Sequence, residues 1–114
     1  MFRLAALASA LSLAALPALA ADGEQLFNIQ CRQCHMGSIM GPSLVGTAGG
    51  PIAAKPGFTY TPGLKAKSDQ TWTDENLDAF LKGPAAFAPG TKMFATVPSD
   101  EARAALIAYL KTLK

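Results

Sequence analysis

Three observations predict an all-α chain with three principal helices and long connecting loops. Three segments carry a capping residue followed by apolar residues at helical spacing. The stretches between them are rich in glycine and proline, yet they hold large apolar side chains. No stretch alternates apolar and polar residues as a half-buried strand does. At 114 residues the chain is one domain, and a domain of this size buries only roughly 60–68% of its unfolded surface.

Residues 1–20 open with Met1-Phe2-Arg3, continue as an uncharged run from Leu4, and end in Ala18-Leu19-Ala20. A basic start, an apolar middle and an Ala-x-Ala end make a secretory signal peptide, with cleavage expected after Ala20 and a mature domain over residues 21–114. An uncleaved anchor is the competing reading, but 17 uncharged residues sit at the lower edge of a spanning length and a proline lies near their end. No second run of that kind follows, so no membrane span is expected in the mature chain.

The first helix is expected from Gly23 to Cys34, with Asp22 as its cap and Gln25 completing a capping box. His35 to Gly63 holds eleven glycines and prolines and reads as loop, with a weakly signalled helical turn around Leu64 to Lys67. Thr73 caps the second helix, in which Leu77, Phe80 and Leu81 recur at helical spacing and Gly83-Pro84 marks the stop. Ala85 to Val97 reads as loop, with a turn at Pro89-Gly90. Ser99 starts the last helix, with Asp100 and Glu101 in its first turn and Lys111 and Lys114 toward its end, as the macrodipole prefers. Leu106, Tyr109, Leu110 and Leu113 form its apolar stripe.

The composition limits what else the chain can be. After Ala20, 41 of 94 residues are apolar and 14 of those are alanine, a thin supply for a core. Nine basic residues face eight acidic ones once Arg3 is removed, without the clustering that nucleic-acid binding needs. Loops longer than about 12–15 residues are functional or disordered. These contain Leu44, Ile52, Phe58, Tyr60, Phe87, Met93 and Phe94, so they are expected to wrap a centre that the chain itself does not provide.

Cys31-Arg32-Gln33-Cys34-His35 supplies that centre. It is a C-x-x-C-H box, the pattern for covalent attachment of c-type haem. Three residues apart at a helix end, the two sulfurs share a face and can add to two vinyl groups of one porphyrin, while the adjacent imidazole meets the iron. A disulfide between the cysteines would close a very short loop for little gain. A thioredoxin-like dithiol follows a strand, and none is expected before Cys31. A zinc site would need further Cys or His ligands, and the chain has no others.

The sixth position on the iron then decides function. Met36 and Met40 lie too close in sequence to His35 to reach the opposite face of the ring. Met93 is presented from a remote turn, Pro89-Gly90-Thr91-Lys92-Met93. A soft, neutral thioether favours ferrous iron, and two strong axial ligands leave no site for oxygen or peroxide. Electron transfer without bond-making follows, and the chain is expected not to be an enzyme.

On these motifs the chain resembles the class I cytochromes c, in the branch of mitochondrial cytochrome c and bacterial cytochrome c2. The resemblance runs from Gly23 to Lys114 through the haem box, Gly41-Pro42, Pro56-Gly57-Phe58-Thr59-Tyr60, Trp72, Pro89 to Met93, and Arg103 with Leu106 to Leu110. It implies a small class I cytochrome fold wrapped around one haem c held through Cys31 and Cys34. It further implies that the first and last helices cross closely at Gly23 and Phe27, against Leu106 and Tyr109. Pro42 would accept a hydrogen bond from His35, and Tyr60, Trp72 and Thr91 would bond a buried propionate.

Some positions depart from the family pattern. A propionate-side arginine falls on Gly50, an asparagine of the same network on Leu64, and the tyrosine beside the axial methionine on Phe80. The segment from His35 to Pro42 is short, so one haem edge should be more exposed. Two docking lysines fall on Ala85 and Ala86, which leaves Lys55, Lys82 and Lys92 around the rim and an apolar rather than basic face at Met93. The expected protein is a monomeric periplasmic carrier that docks transiently with redox partner proteins, respiratory or photosynthetic. The alternatives are a haem c subunit of a periplasmic dehydrogenase, or a sensor or peroxidase-like enzyme, which would require Met93 to leave the iron.

Overall fold

The computed structural model describes residues 19–37 and 39–114, so most of the expected leader lies outside the described residues. Helical backbone is already present at residue 19 and continues to residue 30 (α1). Asp22 therefore lies within a helix and does not cap it. Alanine is the strongest helix former, and Ala20-Ala21 carry the helix through the expected starting point. After a turn at Cys31 a further helical turn spans Arg32–His35 (α2), where the backbone N–H groups of Cys34 and His35 both donate to the Cys31 carbonyl, at 3.2 and 3.1 Å.

The loop that follows leads to a single helical turn at Pro62–Lys65 (α3), two residues earlier than the sequence signal placed it. Proline's fixed φ suits the first position of a helix, so Pro62 starts this turn. Asp74–Lys82 (α4) begins as expected, with the Thr73 hydroxyl accepting from the Asn76 N–H at 3.1 Å, and stops at Gly83. Gly83-Pro84 ends α4 as expected, and Pro84–Phe87 then forms another turn (α5) where loop was expected, with Pro84, like Pro62, at a helix start. Asp100–Leu110 (α6) is capped by Ser99, which accepts from the Ala102 N–H at 3.2 Å. Because α6 ends at Leu110, Lys111 is its C-cap and Lys114 lies beyond it, so the expected complement of two lysines in the last turn is not made. Among the described residues there is no strand, only an isolated antiparallel bridge between Pro51 and Thr71.

Two contacts fix the helical frame. Where α1 meets α6, a Cβ at Gly23 would overlap the Ala105 carbonyl and lie 2.8 Å from the Tyr109 Cβ, so only glycine permits the approach. One turn later Phe27, 2% exposed, packs on Tyr109 with ring centroids 5.2 Å apart. Where α4 meets α6, Arg103 is buried, and its fork is occupied by donation to Asp78 (2.7 Å), to the carbonyls of Val97 (2.8 Å) and Pro98 (2.9 Å), and to Asp100. A buried guanidinium is tolerable only with its donors satisfied in this way.

The loops are tied to this frame by backbone hydrogen bonds. Gly49 donates to Trp72 (2.8 Å) and Trp72 to Gly50 (2.8 Å), Ile52 donates to Gln70 (3.0 Å), and Val97 donates to Leu81 (2.8 Å). Trp72 thereby becomes a fixed wall, stacked on Phe87 at 5.7 Å and edge-on to Phe80 at 5.2 Å.

The close approach at Gly23 generates a test. Gly23→Ala should destabilise the holoprotein by about 2 kcal/mol or more, read as a lower denaturant midpoint, because one added methyl must push two helices apart. Gly83→Ala is the control, since a Cβ there meets nothing closer than 3.6 Å, and it should leave the midpoint nearly unchanged.

Candidate haem site

α2 and the loop after it position His35. Its Nδ1 lies 2.8 Å from the carbonyl oxygen of Pro42. A carbonyl can only accept, so Nδ1 carries the proton and Nε2 is left with its lone pair for a metal. The ring is pressed against the loop backbone. A Cβ at Gly41 would lie 2.8 Å from the Cys34 carbonyl and 2.9 Å from both Cε1 and Nδ1 of His35, so glycine is required beside the ring. The hydrogen bond to Pro42 matches the expectation from the family pattern; the requirement at Gly41 is an addition that the sequence motif did not reveal.

His35 opens onto a cleft of about 340 Å³ that also borders Cys31, Cys34, Pro42, Trp72, Thr91 and Met93. Its size falls in the range of cofactor clefts. Behind it a narrower apolar recess reaches Phe27, Leu77, Leu106 and Leu110, so the cleft continues into the helical core. Segments far apart in sequence thus converge on one space: the C-x-x-C-H box at one side, the Met93 turn at another, and Trp72, Phe80 and Leu81 as further walls.

Both cysteines are free and half-buried. Burial, and secondarily the neighbouring Cys34 thiol, push the Cys31 thiol above its ordinary pKa. Redox-active dithiols need the opposite shift, toward thiolate at neutral pH. Cys31 is poorly suited to act as the nucleophile of a dithiol, and both cysteines border the cleft, placed for attachment of a group lying in it.

Met93 reaches the cleft from a turn that the Thr91 hydroxyl helps to form, accepting from the Met93 N–H at 3.4 Å. Met40 also borders the cleft, at its mouth, and is mostly exposed; Met36 does not border it and is exposed. Phe80 lines the cleft as an apolar wall in the place of the family's tyrosine.

Tyr60 is set apart from the others. It borders an adjoining cavity of about 210 Å³ that shares Trp72 and Thr47 with the cleft. The Tyr60 hydroxyl accepts from the Lys55 backbone N–H at 3.1 Å. Burial raises the phenol's pKa, offset in part by that bond, so it stays protonated and able to donate at neutral pH. Thr61 was not foreseen: the residue borders the cleft, and its hydroxyl is buried without a hydrogen-bond partner among the described residues. A buried hydroxyl without a partner costs about 1–3 kcal/mol, a cost that a polar substituent on a group bound beside it would offset. An apolar cleft, a preset imidazole, two free thiols and this orphaned hydroxyl fit a haem with its propionates. Only the residue's place next to Tyr60 could have flagged Thr61 in sequence.

Comparisons with known proteins agree with this geometry. The family model described as cytochrome c oxidase, cbb3-type, subunit III matches residues 18–110. Cytochrome c of Tetrahymena pyriformis is 44% identical over 99 residues, covering 82% of this chain and 88% of that protein. Cytochrome c2 of Rhodopila globiformis is 37% identical over 98 residues, covering 82% of this chain and 92% of the relative. The structure of ferricytochrome c2 from Rhodopseudomonas palustris superposes with a TM-score of 0.75 at 32% identity, over 83% of this chain and 98% of that one. A helical frame with no strand among the described residues, closed around a C-x-x-C-H cleft, together with these likenesses shows that the chain belongs to the class I c-type cytochromes, electron carriers with one covalently bound haem c.

Proposed function

We propose that the chain is a periplasmic one-electron carrier in which His35 and Met93 ligate the iron and Cys31 and Cys34 form the thioether bonds. The observation that carries this reading is the convergence of those four side chains on one cleft, with His35 Nδ1 already engaged by Pro42. When bound, haem supplies the ferrous–ferric couple, and the protein's part is to ligate, desolvate and orient. Pro42 fixes the imidazole and raises its basicity. Met93, soft and neutral, favours the ferrous state. Leu44, Trp72, Phe80 and Leu81 keep water from the cleft walls.

The periplasmic location rests on the leader at residues 1–20 and on haem attachment outside the cytoplasmic membrane. The surface at the cleft mouth supports transient docking of a monomer with redox partners. Phe94 is 87% exposed, Met40 is 72% exposed, and both border the cleft beside Lys92. Ile39, 96% exposed, lies on the same short loop as Met40. Lys55, expected on that rim, borders the polar cavity instead. The docking face is thus mainly apolar.

Two measurements test these points. Holoprotein recovered from the periplasm with Ala21 as its first residue should be low-spin and show the weak near-infrared sulfur-to-iron band. Met93→Ala should abolish the band and give high-spin iron that binds carbon monoxide, whereas Met36→Ala and Met40→Ala should keep it; a band that survives Met93→Ala refutes the ligand assignment. Electron-transfer rates with the physiological partner should change by less than about threefold between low and moderate ionic strength, since an apolar face gains little from steering. A steep fall with added salt would refute the apolar docking face.

A further inference from the structure

The polar cavity beside the cleft contains a single charged side chain. Lys55 and Tyr60 are the only ionisable residues among those that line it, and no carboxylate does. Lys55 is held at the border of this space: its backbone N–H donates to the Tyr60 hydroxyl at 3.1 Å, and its ammonium donates to the Val45 carbonyl, with Nζ 3.7 Å from where a Cβ on the lining residue Gly46 would lie. The chain reaches this position through Ala53, the only non-glycine residue with positive φ (58°) among the described residues. Left-handed backbone at a residue with a Cβ costs roughly 1–2 kcal/mol, and such strain is commonly retained where a site needs it.

The rest of the lining offers no alternative cation. A Cβ at Gly50 would lie 2.8 Å from the Gly46 carbonyl oxygen, so position 50 cannot bear a side chain without moving backbone. Trp72 and Thr47 are common to this cavity and to the cleft. The two spaces therefore adjoin, and a carboxylate on a group bound in the cleft would find in Lys55 the cation of the adjoining space. Val45 offers only a neutral acceptor to the ammonium, and an ionised carboxylate makes the stronger partner.

We propose that Lys55 is a positioning residue for the cofactor, supplying the cation that keeps one haem propionate ionised in the cavity formed with Tyr60 and Trp72. This rests on the haem reading above. Its consequence is electrostatic: a cation next to a carboxylate lowers that carboxylate's pKa, and it also disfavours the more positive ferric state. Removing the charge therefore lowers the reduction potential where the propionate is ionised and moves the propionate's titration upward.

The test is the reduction potential of the holoprotein as a function of pH for wild type, Lys55→Gln, Lys55→Arg and Lys65→Gln, the last removing an exposed lysine that lines neither cavity. In Lys55→Gln the inflection should move up by roughly one pH unit or more, with a lower potential on its alkaline side. Lys55→Arg should restore the wild-type curve and Lys65→Gln should follow it. Lys55→Met replaces Lys55→Gln if the latter fails to load haem. A Lys55→Gln or Lys55→Met curve that superimposes on wild type, or shifts no more than Lys65→Gln, overturns the proposal. So does a wild-type inflection that moves when phosphate replaces chloride at constant ionic strength, which identifies a free anion in the cavity. Low-spin methionine-ligated spectra with unshifted curves sink the Lys55 role alone; spectra without that signature sink the ligation reading with it.

Discussion

The contact that everything else depends on is the apolar cleft itself. Helices supply the back of it through Phe27, Leu77, Leu106 and Leu110, and loops supply the front through Leu44, Trp72 and Met93. With only 41 apolar residues after Ala20, many of them alanine, the chain has little to bury apart from these walls. Facing apolar walls gain their stabilisation only when an apolar group covers them. The covalent cofactor is therefore as much a core element as a redox centre, and the two thioether bonds hold it where a small domain could not afford to lose it.

The rest of the architecture serves to hold that cleft in register. Gly23 lets α1 and α6 close against one another, and the Arg103 cluster joins α6 to α4 and to the segment that leads from Met93 into α6. Gly41 admits the His35 ring, and Pro42 orients it. The exchange of Trp72 hydrogen bonds with Gly49 and Gly50 fixes an indole that is wall to both the cleft and the polar cavity. Each of these shapes the cleft through backbone placement, which is why small residues and prolines recur around it.

Much of this was legible in the sequence. Thr73 and Ser99 announced their helices because side-chain capping is local, and the C-x-x-C-H box announced the cofactor because attachment needs a fixed spacing. Asp22 misled because alanine propensity continues the helix upstream, a competition a cap rule does not weigh. Gly83-Pro84 ended α4 as read, but the turn that Pro84 then begins was missed, since proline is compatible with either role. The demands on Gly41 and Gly50, the orphaned Thr61 hydroxyl and the placement of Lys55 at the border of the polar cavity arise from loop geometry between residues that no periodic pattern relates, and only coordinates reveal them.

The claim that haem completes the core is tested most directly by residues 21–114 deprived of it, prepared as Cys31→Ala/Cys34→Ala and stripped of any bound haem. Far-ultraviolet circular dichroism followed through thermal unfolding should show little helix and no cooperative transition, while the holoprotein melts cooperatively. A haem-free chain with the helix content of the holoprotein and a sharp, cooperative melt would contradict the account.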